Sequence, residues 1–344
     1  MIEAVTVERF RGLRRLGVEG LGRVNLIVGK NNCGKTALME ALLIAQTADG
    51  GASRVYFVQS LRRSGVAPAD FDRFWRPLFW SQDADGGFAI EVRGSQPAPI
   101  RLDFRRSASP PPMLTEPTAF AAGAPATWAL DVRIANGGER TEQVLGGPAG
   151  LKLPAFAGSG REFWIAPNKN VSATDIALFS TLKQAGREAE LLGILREVDN
   201  RVSGLEILAP TGTVAELFVR LAPDSPLLPI AMMGDGFQRC FEMTVSAVTC
   251  GVLFVDELDN GLHHSILESV WRWLAVVSSK RGIQIFATTH SEECIHAASR
   301  AFTELKDDGL RVIRLDRRDG ETTAAIYDRE LVETAAETGV ELRG

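Results

Sequence analysis

The stretch Gly29-Lys30-Asn31-Asn32-Cys33-Gly34-Lys35-Thr36 satisfies the phosphate-binding pattern GxxxxGK[ST] at every fixed position. The pattern constrains fold and chemistry together. Backbone N–H groups of such a loop wrap phosphate oxygens, the lysine reaches the outer ones, and the Ser/Thr hydroxyl can ligate Mg²⁺. It works only between a strand and a helix, and both flanks comply. Val24-Asn25-Leu26-Ile27-Val28 is a short apolar run that reads as a buried strand, and Ala37 to Ala45 is a strong helix former. The helix N-terminus then points its partial positive charge at the phosphates. The expected nucleotide contacts are Gly29, Asn31, Asn32, Cys33, Gly34, Lys35, Thr36 and Ala37, with Thr36 also a metal ligand.

Three further stretches carry chemistry. Gly251-Val252-Leu253-Phe254-Val255-Asp256-Glu257 is an apolar strand ending in two carboxylates. Asp256 at the strand tip suits Mg²⁺, and Glu257 suits a general base or water positioner. Ile285-Phe286-Ala287-Thr288-Thr289-His290 is a second apolar strand, and it delivers a histidine. All four histidines of the chain fall between His263 and His296, after the acidic pair. His290 is read as able to hydrogen-bond a terminal phosphate, and His296 as structural. Met232-Met233-Gly234-Asp235-Gly236-Phe237-Gln238 is a turn opening a helix, with Asp235 expected at the N-cap and Gly234, Asp235, Gly236 and Gln238 as candidate phosphate contacts.

The remaining pattern predicts organisation. Residues 3–10, 16–18 and 24–28 read as strands and 54–64 as a basic helix. Trp75 to Trp80 reads as an aromatic packing knot. Residues 87–93, 100–105 and 128–134 read as antiparallel strands, with a Pro-rich loop at about 107–126 between the last two. Residues 173–202 look helical, and 205–208 and 213–221 look like paired strands. From Gly234 onward strands alternate with helices (236–250, 252–255, 264–278, 283–288), which predicts a parallel α/β sheet. A last strand pair (311–315, 322–327) and a helix (329–338) follow. No heptad array marks a long coiled-coil arm.

These four motifs, in this order, resemble the ABC-type ATPases, in the branch of the OLD nucleases, SMC-like proteins and stand-alone AAA-family ATPases of prokaryotic defence. By that resemblance Gly29 to Thr36 is the Walker A loop and Met233 to Gln238 a degenerate signature motif, with Asp for the usual Ser. Asp256-Glu257 is Walker B, Leu258 to His263 includes the D-loop, and His290 is the switch histidine. Phe10-Arg11-Gly12-Leu13 matches the first-strand motif of the branch, and Arg11 is expected to approach the nucleotide. Gln82 is assigned as the glutamine-loop metal ligand, with Gln59 in reserve. The resemblance implies a P-loop NTPase with an ABC-like head, antiparallel N-terminal strands and a parallel core sheet flanked by helices. It places the core at 1–50 and 225–344 and an inserted variable lobe at 51–224. It implies ATP and Mg²⁺, an ATP hydrolase, a homodimer closed head-to-tail by ATP, and a separate effector, a nuclease or Toprim-like protein, in phage defence or DNA repair. Residues 291–344 are shorter than the roughly 100 residues a small nuclease domain needs, so no nuclease site is expected, and Asp307, Asp308, Asp316 and Asp319 read as solvated loop acids.

Net charge of −5 advertises no global attraction to nucleic acid, so DNA contact would be local or belong to a partner. An SMC-like DNA clamp without a partner nuclease is the alternative. The four cysteines have no CxxC spacing and read as free thiols of a cytoplasmic protein. No signal peptide is evident, and no apolar run is long enough to span a membrane. A transporter subunit fits poorly. The guanine-reading NKxD pattern is absent, since Asn168-Lys169-Asn170 is followed by Val171. A small-molecule kinase leaves Gly234 to Gln238 and His290 without roles.

Overall fold

The structure, a computed structural model, describes residues 1–47, 49–107, 127–147, 150–154, 162–167, 171–210, 212–338 and 342. In chain order the elements are β1 (Ile2–Phe10), β2 (Leu13–Glu19), β3 (Val24–Val28), α1 (Lys35–Ala45), α2 (Gly51–Arg62), β4 (Phe88–Gly94), β5 (Ile100–Ser107), β6 (Trp128–Ala135), β7 (Glu139–Gly147), β8 (Gly150–Lys152) and β9 (Glu162–Ile165). They continue with α3 (Ala173–Gln184), α4 (Glu188–Val198), β10 (Gly204–Leu208), β11 (Glu216–Arg220), β12 (Leu227–Pro229), α5 (Asp235–Ala247), β13 (Val252–Val255), α6 (His264–Arg281), β14 (Gln284–Thr288), α7 (Glu292–Leu305), β15 (Leu310–Arg318), β16 (Glu321–Asp328) and α8 (Arg329–Thr338). The expected Pro-rich loop lies outside the described residues except for Ser107, which ends β5, and Asn168 to Asn170 lie outside them too.

Two compact units divide the chain. The first is Met1–Leu21, Asn31–Ser159 and Leu315–Ala325; the second is Gly22–Lys30, Gly160–Arg314 and Ile326–Gly344. The segment 51–224, expected as one inserted lobe, is thus shared between the units, 51–159 in the first and 160–224 in the second.

The first unit is built on an antiparallel sheet of order β2-β1-β4-β5-β6-β7-β8. Register aligns Val7 with Leu16 and Ile90, Ile90 with Leu102, and Leu102 with Ile134. This row and its neighbours are buried, while Glu8, Arg101, Asp103 and Arg133 alternate with them on the opposite, polar face. Helix α1 packs on β1, β4 and β5, and α2 packs on β6 and β7. The aromatic knot packs as expected: Trp75 and Phe74 are buried edge to face at 5.1 Å, and Phe71 meets Trp128 at 5.1 Å. One buried carboxylate, Glu40 on α1, is shared by two arginines, Arg11 Nε at 2.5 Å and Arg62 Nε at 2.5 Å.

The second unit centres on a six-stranded sheet of order β16-β15-β3-β14-β13-β9. The pairs β15–β3, β3–β14, β14–β13 and β13–β9 are all parallel. Strands β3, β13 and β14 read as near-continuous apolar runs because the sheet is covered on both faces. Thr288 pairs with Ile27, and Ala287 pairs with Val255. The three strands therefore end together, and Gly29, Asp256 and His290 leave one edge of the sheet, where ligands bind in open parallel sheets. Helix α5 packs on β9 and β13, and α6 packs on α7. A smaller antiparallel sheet, β10-β11-β12, adjoins α3. Among the described residues no helix is long and apolar enough to cross a membrane.

Candidate functional site

The glycine-rich loop takes a shape that demands its residue types. Gly29, Asn32 and Gly34 have φ of 138°, 62° and 107°, a region that favours glycine and tolerates asparagine. Gly34 has a second reason: a Cβ there would stand 2.6 Å from Leu13 Cδ2. Gly34 is also the N-cap of α1, so no side chain caps the first turn, and that turn carries no acidic residue. This leaves the N-terminal dipole for an external anion. Within the first unit the loop backbone is held from β15 and β16. Arg317 Nη1 donates to the Asn32 carbonyl at 3.2 Å, and Thr322 Oγ1 donates to the Cys33 carbonyl at 3.2 Å. Lys35 and Cys33 are buried, Thr36 is half-buried, and Lys30, Asn31 and Asn32 are exposed. Burial pushes the Cys33 thiol up.

The acidic pair sits where β13 ends. Asp256 N donates to the Ile165 carbonyl at 2.9 Å, continuing the ladder to β9. Thr288 Oγ1 donates to Asp256 Oδ1 at 2.7 Å and accepts from Glu257 N at 2.8 Å. Glu257 itself has φ 50°, a conformation that costs a non-glycine residue about 1–3 kcal/mol and persists only when its surroundings hold it. The holding group on the other side is Arg239 of α5. Its Nη2 donates to the carbonyls of Asp256 at 2.5 Å and Glu257 at 3.1 Å, and its Nη1 donates to that of Ala166. Arg239 is 4% exposed. Burial lowers its pKa, opposed by the charges of Glu242, Asp256, Glu257 and Asp259.

The donor chemistry at Asp256 fits Mg²⁺. One carboxylate oxygen is fixed by Thr288, and Oδ2 takes no hydrogen bond among the described residues. No cluster of three or more His, Cys, Asp or Glu side chains forms among those residues. Mg²⁺ at phosphate sites uses one or two carboxylates, hydroxyls and phosphate oxygens instead of such a cage.

The expected signature turn differs in detail. Helix α5 begins at Asp235, and its N-cap is Gly234, with no side-chain cap. Asp235, expected at the N-cap, is therefore the first helical residue, where its negative charge complements the positive end of the dipole from inside the first turn. Gly236 is required by a close approach: a Cβ there would stand 2.6 Å from the Gly261 carbonyl oxygen. The signature turn thus lies backbone to backbone on the loop after the acidic pair. That loop is tied down by Leu258 N to the Thr288 carbonyl at 2.9 Å, Thr289 Oγ1 to Asp259 Oδ1 at 2.6 Å, and Asn260 Nδ2 to the Pro167 carbonyl at 2.8 Å. Gln238 is buried and donates its amide to the Met233 carbonyl at 2.9 Å, closing the turn from inside.

His290 lies two residues past the end of β14 and is half-buried. Gln82 is exposed with φ 60° at the end of a tight turn, and its carbonyl accepts from Arg76 Nη1 at 3.3 Å. Gln59 is fully buried between two partners, accepting from Arg11 Nη2 at 3.0 Å and donating to the Phe74 carbonyl. Arg11, expected to approach the nucleotide, has its guanidinium engaged by Glu40 and Gln59. Asp307, read as a solvated acid, is a part-buried partner of Arg23. Arg239, Thr288 and Thr289 carry no motif of their own. Arg239 reads in sequence as an ordinary polar position of an amphipathic helix, and only its burial against three carbonyls marks it.

Residues 172–295, which span the signature turn, the acidic pair and His290, match a family described as "AAA domain, putative AbiEii toxin, Type IV TA system". An "ATP/GTP phosphatase" of Helicobacter pylori is 20% identical over 335 residues, covering 88% of this chain and 89% of that protein. An uncharacterized protein of Methanocaldococcus jannaschii is 44% identical over 62 residues, 18% of this chain and 27% of the other. Among solved structures, an SMC head bound to the C-winged helix domain of ScpA superposes with a TM-score of 0.52 at 11% identity, covering 96% of this chain and 98% of that one. An SMC head with an extended coiled coil, bound to the C-terminal domain of ScpA derived from Pyrococcus furiosus, does so with a TM-score of 0.52 at 11% identity over 99% of both chains. The expected resemblance in fold is borne out: an antiparallel N-terminal sheet and a largely parallel core sheet, as in an SMC or ABC head. Over residues 172–295 the chain is thus similar to this AAA family, and its fold resembles that of SMC heads.

Proposed function

We propose that this chain is a Mg²⁺-dependent ATPase of the ABC type. The observation that carries the reading is Glu257, held at φ 50° beside Asp256 by Thr288 on its N–H and Arg239 on its carbonyl. Strain maintained from both sides at a strand tip is the mark of a functional carboxylate. The phosphatase of Helicobacter pylori, similar along most of the chain, supports hydrolysis as the reaction.

In this reading the N–H groups of Gly29 to Lys35 and the N-terminus of α1 bind the phosphates, and Lys35 neutralises the outer ones. Thr36 and Asp256 would hold Mg²⁺, with Gln82 as a third candidate, and the ion supplies charge neutralisation on the phosphates. Glu257 takes the proton of the attacking water. His290 hydrogen-bonds the terminal phosphate.

Gly234, Asp235, Gly236 and Gln238 serve the nucleotide of a second copy, so two chains close head-to-tail on ATP and part on hydrolysis. The closed state switches a separate effector, a nuclease in phage defence or DNA repair. The SMC heads seen with ScpA domains favour a partner protein as the recipient. The second reading, a DNA-binding clamp without a partner nuclease, rests on the same SMC-head likeness. Light scattering of Glu257→Gln with ATP and Mg²⁺ tests the closure: a dimer appearing only with ATP supports it, and a monomer at saturating ATP removes it. Affinity capture of the same variant from its host separates the recipients. A co-purifying nuclease supports the first reading, and DNA alone, released by added salt, supports the clamp.

A further inference from the structure

We infer that Thr288 is a positioning residue that sets both the metal-bearing carboxylate Asp256 and the hydrolytic carboxylate Glu257; this rests on the ATPase reading above. A threonine hydroxyl has one proton and acts as donor and acceptor at once. Here both capacities are used within the acidic pair: the proton goes to Asp256 Oδ1 at 2.7 Å, and a lone pair takes the Glu257 N–H at 2.8 Å. Thr288 is 1% exposed, so water cannot replace it, and its β-branched side chain has few rotamers to lose. Its backbone is fixed in the centre of the parallel sheet, paired with Ile27 of β3. One side chain of β14 therefore orients the Asp256 carboxylate, leaves Oδ2 for a cation, and holds Glu257 in its left-handed conformation. The neighbouring hydroxyl does a different job: Thr289 Oγ1 donates to Asp259 and accepts from Ser291 N at 3.0 Å, with no bond to the acidic pair.

The difference between adjacent hydroxyls provides the test. Full-length chains carrying Glu257→Gln, which keeps the nucleotide intact, are titrated with Mg²⁺ while mant-ATP fluorescence reports binding. Adding Thr288→Val is expected to raise the Mg²⁺ concentration for half-saturation by about 10–100-fold, the usual effect of losing a group that orients a metal ligand. Mant-ATP affinity in EDTA stays unchanged, Thr288→Ser restores the Mg²⁺ dependence, and Thr289→Val leaves it at the parent value. If Thr288→Val does not fold by circular dichroism, Thr288→Ala carries the same expectation. An unshifted Mg²⁺ requirement, or an equal shift in Thr289→Val, overturns the inference. If the Glu257→Gln parent binds no mant-ATP with or without Mg²⁺, the ATPase reading has failed and takes this inference with it.

Discussion

Arg239 reaches from the first turns of α5 to the main chain of Glu257, its Nη2 lying 3.1 Å from that carbonyl oxygen. The helix that opens at the signature turn therefore grips the backbone of the acidic pair in the same chain. An arginine buried to this degree is kept by its bonds, here three carbonyls and the surrounding carboxylates, and removing it takes a charged donor from each of those carbonyls.

Arg239→Met is expected to lower stability by about 2–4 kcal/mol and to abolish hydrolysis. Arg239→Lys restores little, because one ammonium on a flexible stem does not reproduce a planar fork. Urea unfolding together with phosphate release checks both parts. A stable, fully active methionine variant would show that the grip on Glu257 has no consequence.

Gly34→Ala is expected to fold with reduced stability and lose nucleotide binding. Its Cβ would enter Leu13, and φ 107° is unfavourable for any side chain. Combining it with Leu13→Ala relieves the clash and leaves the φ strain. Partial recovery in mant-ATP titrations would therefore apportion the two, and wild-type binding in the single variant would refute this account of the loop.

Glu40→Ala is expected to destabilise the chain by about 3–5 kcal/mol, since it strands Arg11 in the interior. The double variant Arg11→Met with Glu40→Ala is expected to recover part of that loss. Denaturant midpoints of the single and double variants test it, and an additive result would mean that the pair is not coupled.

Cys240 and Cys294 give a pH dependence with a defined sign. Burial pushes both thiols up to about 12, and all four cysteines are buried. An acid whose folded pKa is raised stabilises the neutral form of the fold. Its contribution is complete below the unfolded pKa of about 8.5 and is lost as pH climbs from there towards 12. The melting temperature is therefore expected to fall through that alkaline window, and less steeply in Cys240→Ala, read against that variant's own melting temperature at neutral pH. Thiol reagents at pH 8 should label these two positions only after unfolding. Rapid labelling of the native chain would contradict the burial.

Much of this was legible in the residues, and the parts that were not share a cause. The strand before Gly29, the helix after it, and the strands leading to Asp256 and His290 announce themselves through local apolar runs with clear ends. The strands β7, β8, β9 and β12 do not. β7 opens on three exposed polar residues, and the others are three or four residues long. Helix α7 was readable from its Ser291 cap and the apolar spacing of Cys294, Ile295, Ala298 and Phe302, yet it carries no motif to draw the eye. Arg11, Gln59, Arg239 and Thr288 take their meaning from partners tens or hundreds of residues away. Asp235 missed the N-cap by one place because the close contact of Gly236 with Gly261 sets where the helix starts, and capping preference cannot see that contact.

Glu257 is proposed above to perform the water-activating step of ATP hydrolysis. Steady-state phosphate release by the purified wild-type chain and by Glu257→Gln, each with and without Mg²⁺, tests it most directly. Mg²⁺-dependent turnover is expected in the wild type, and a loss of about 10²–10⁴-fold in the variant, with ATP still bound. Turnover in Glu257→Gln equal to that of the wild type would contradict it.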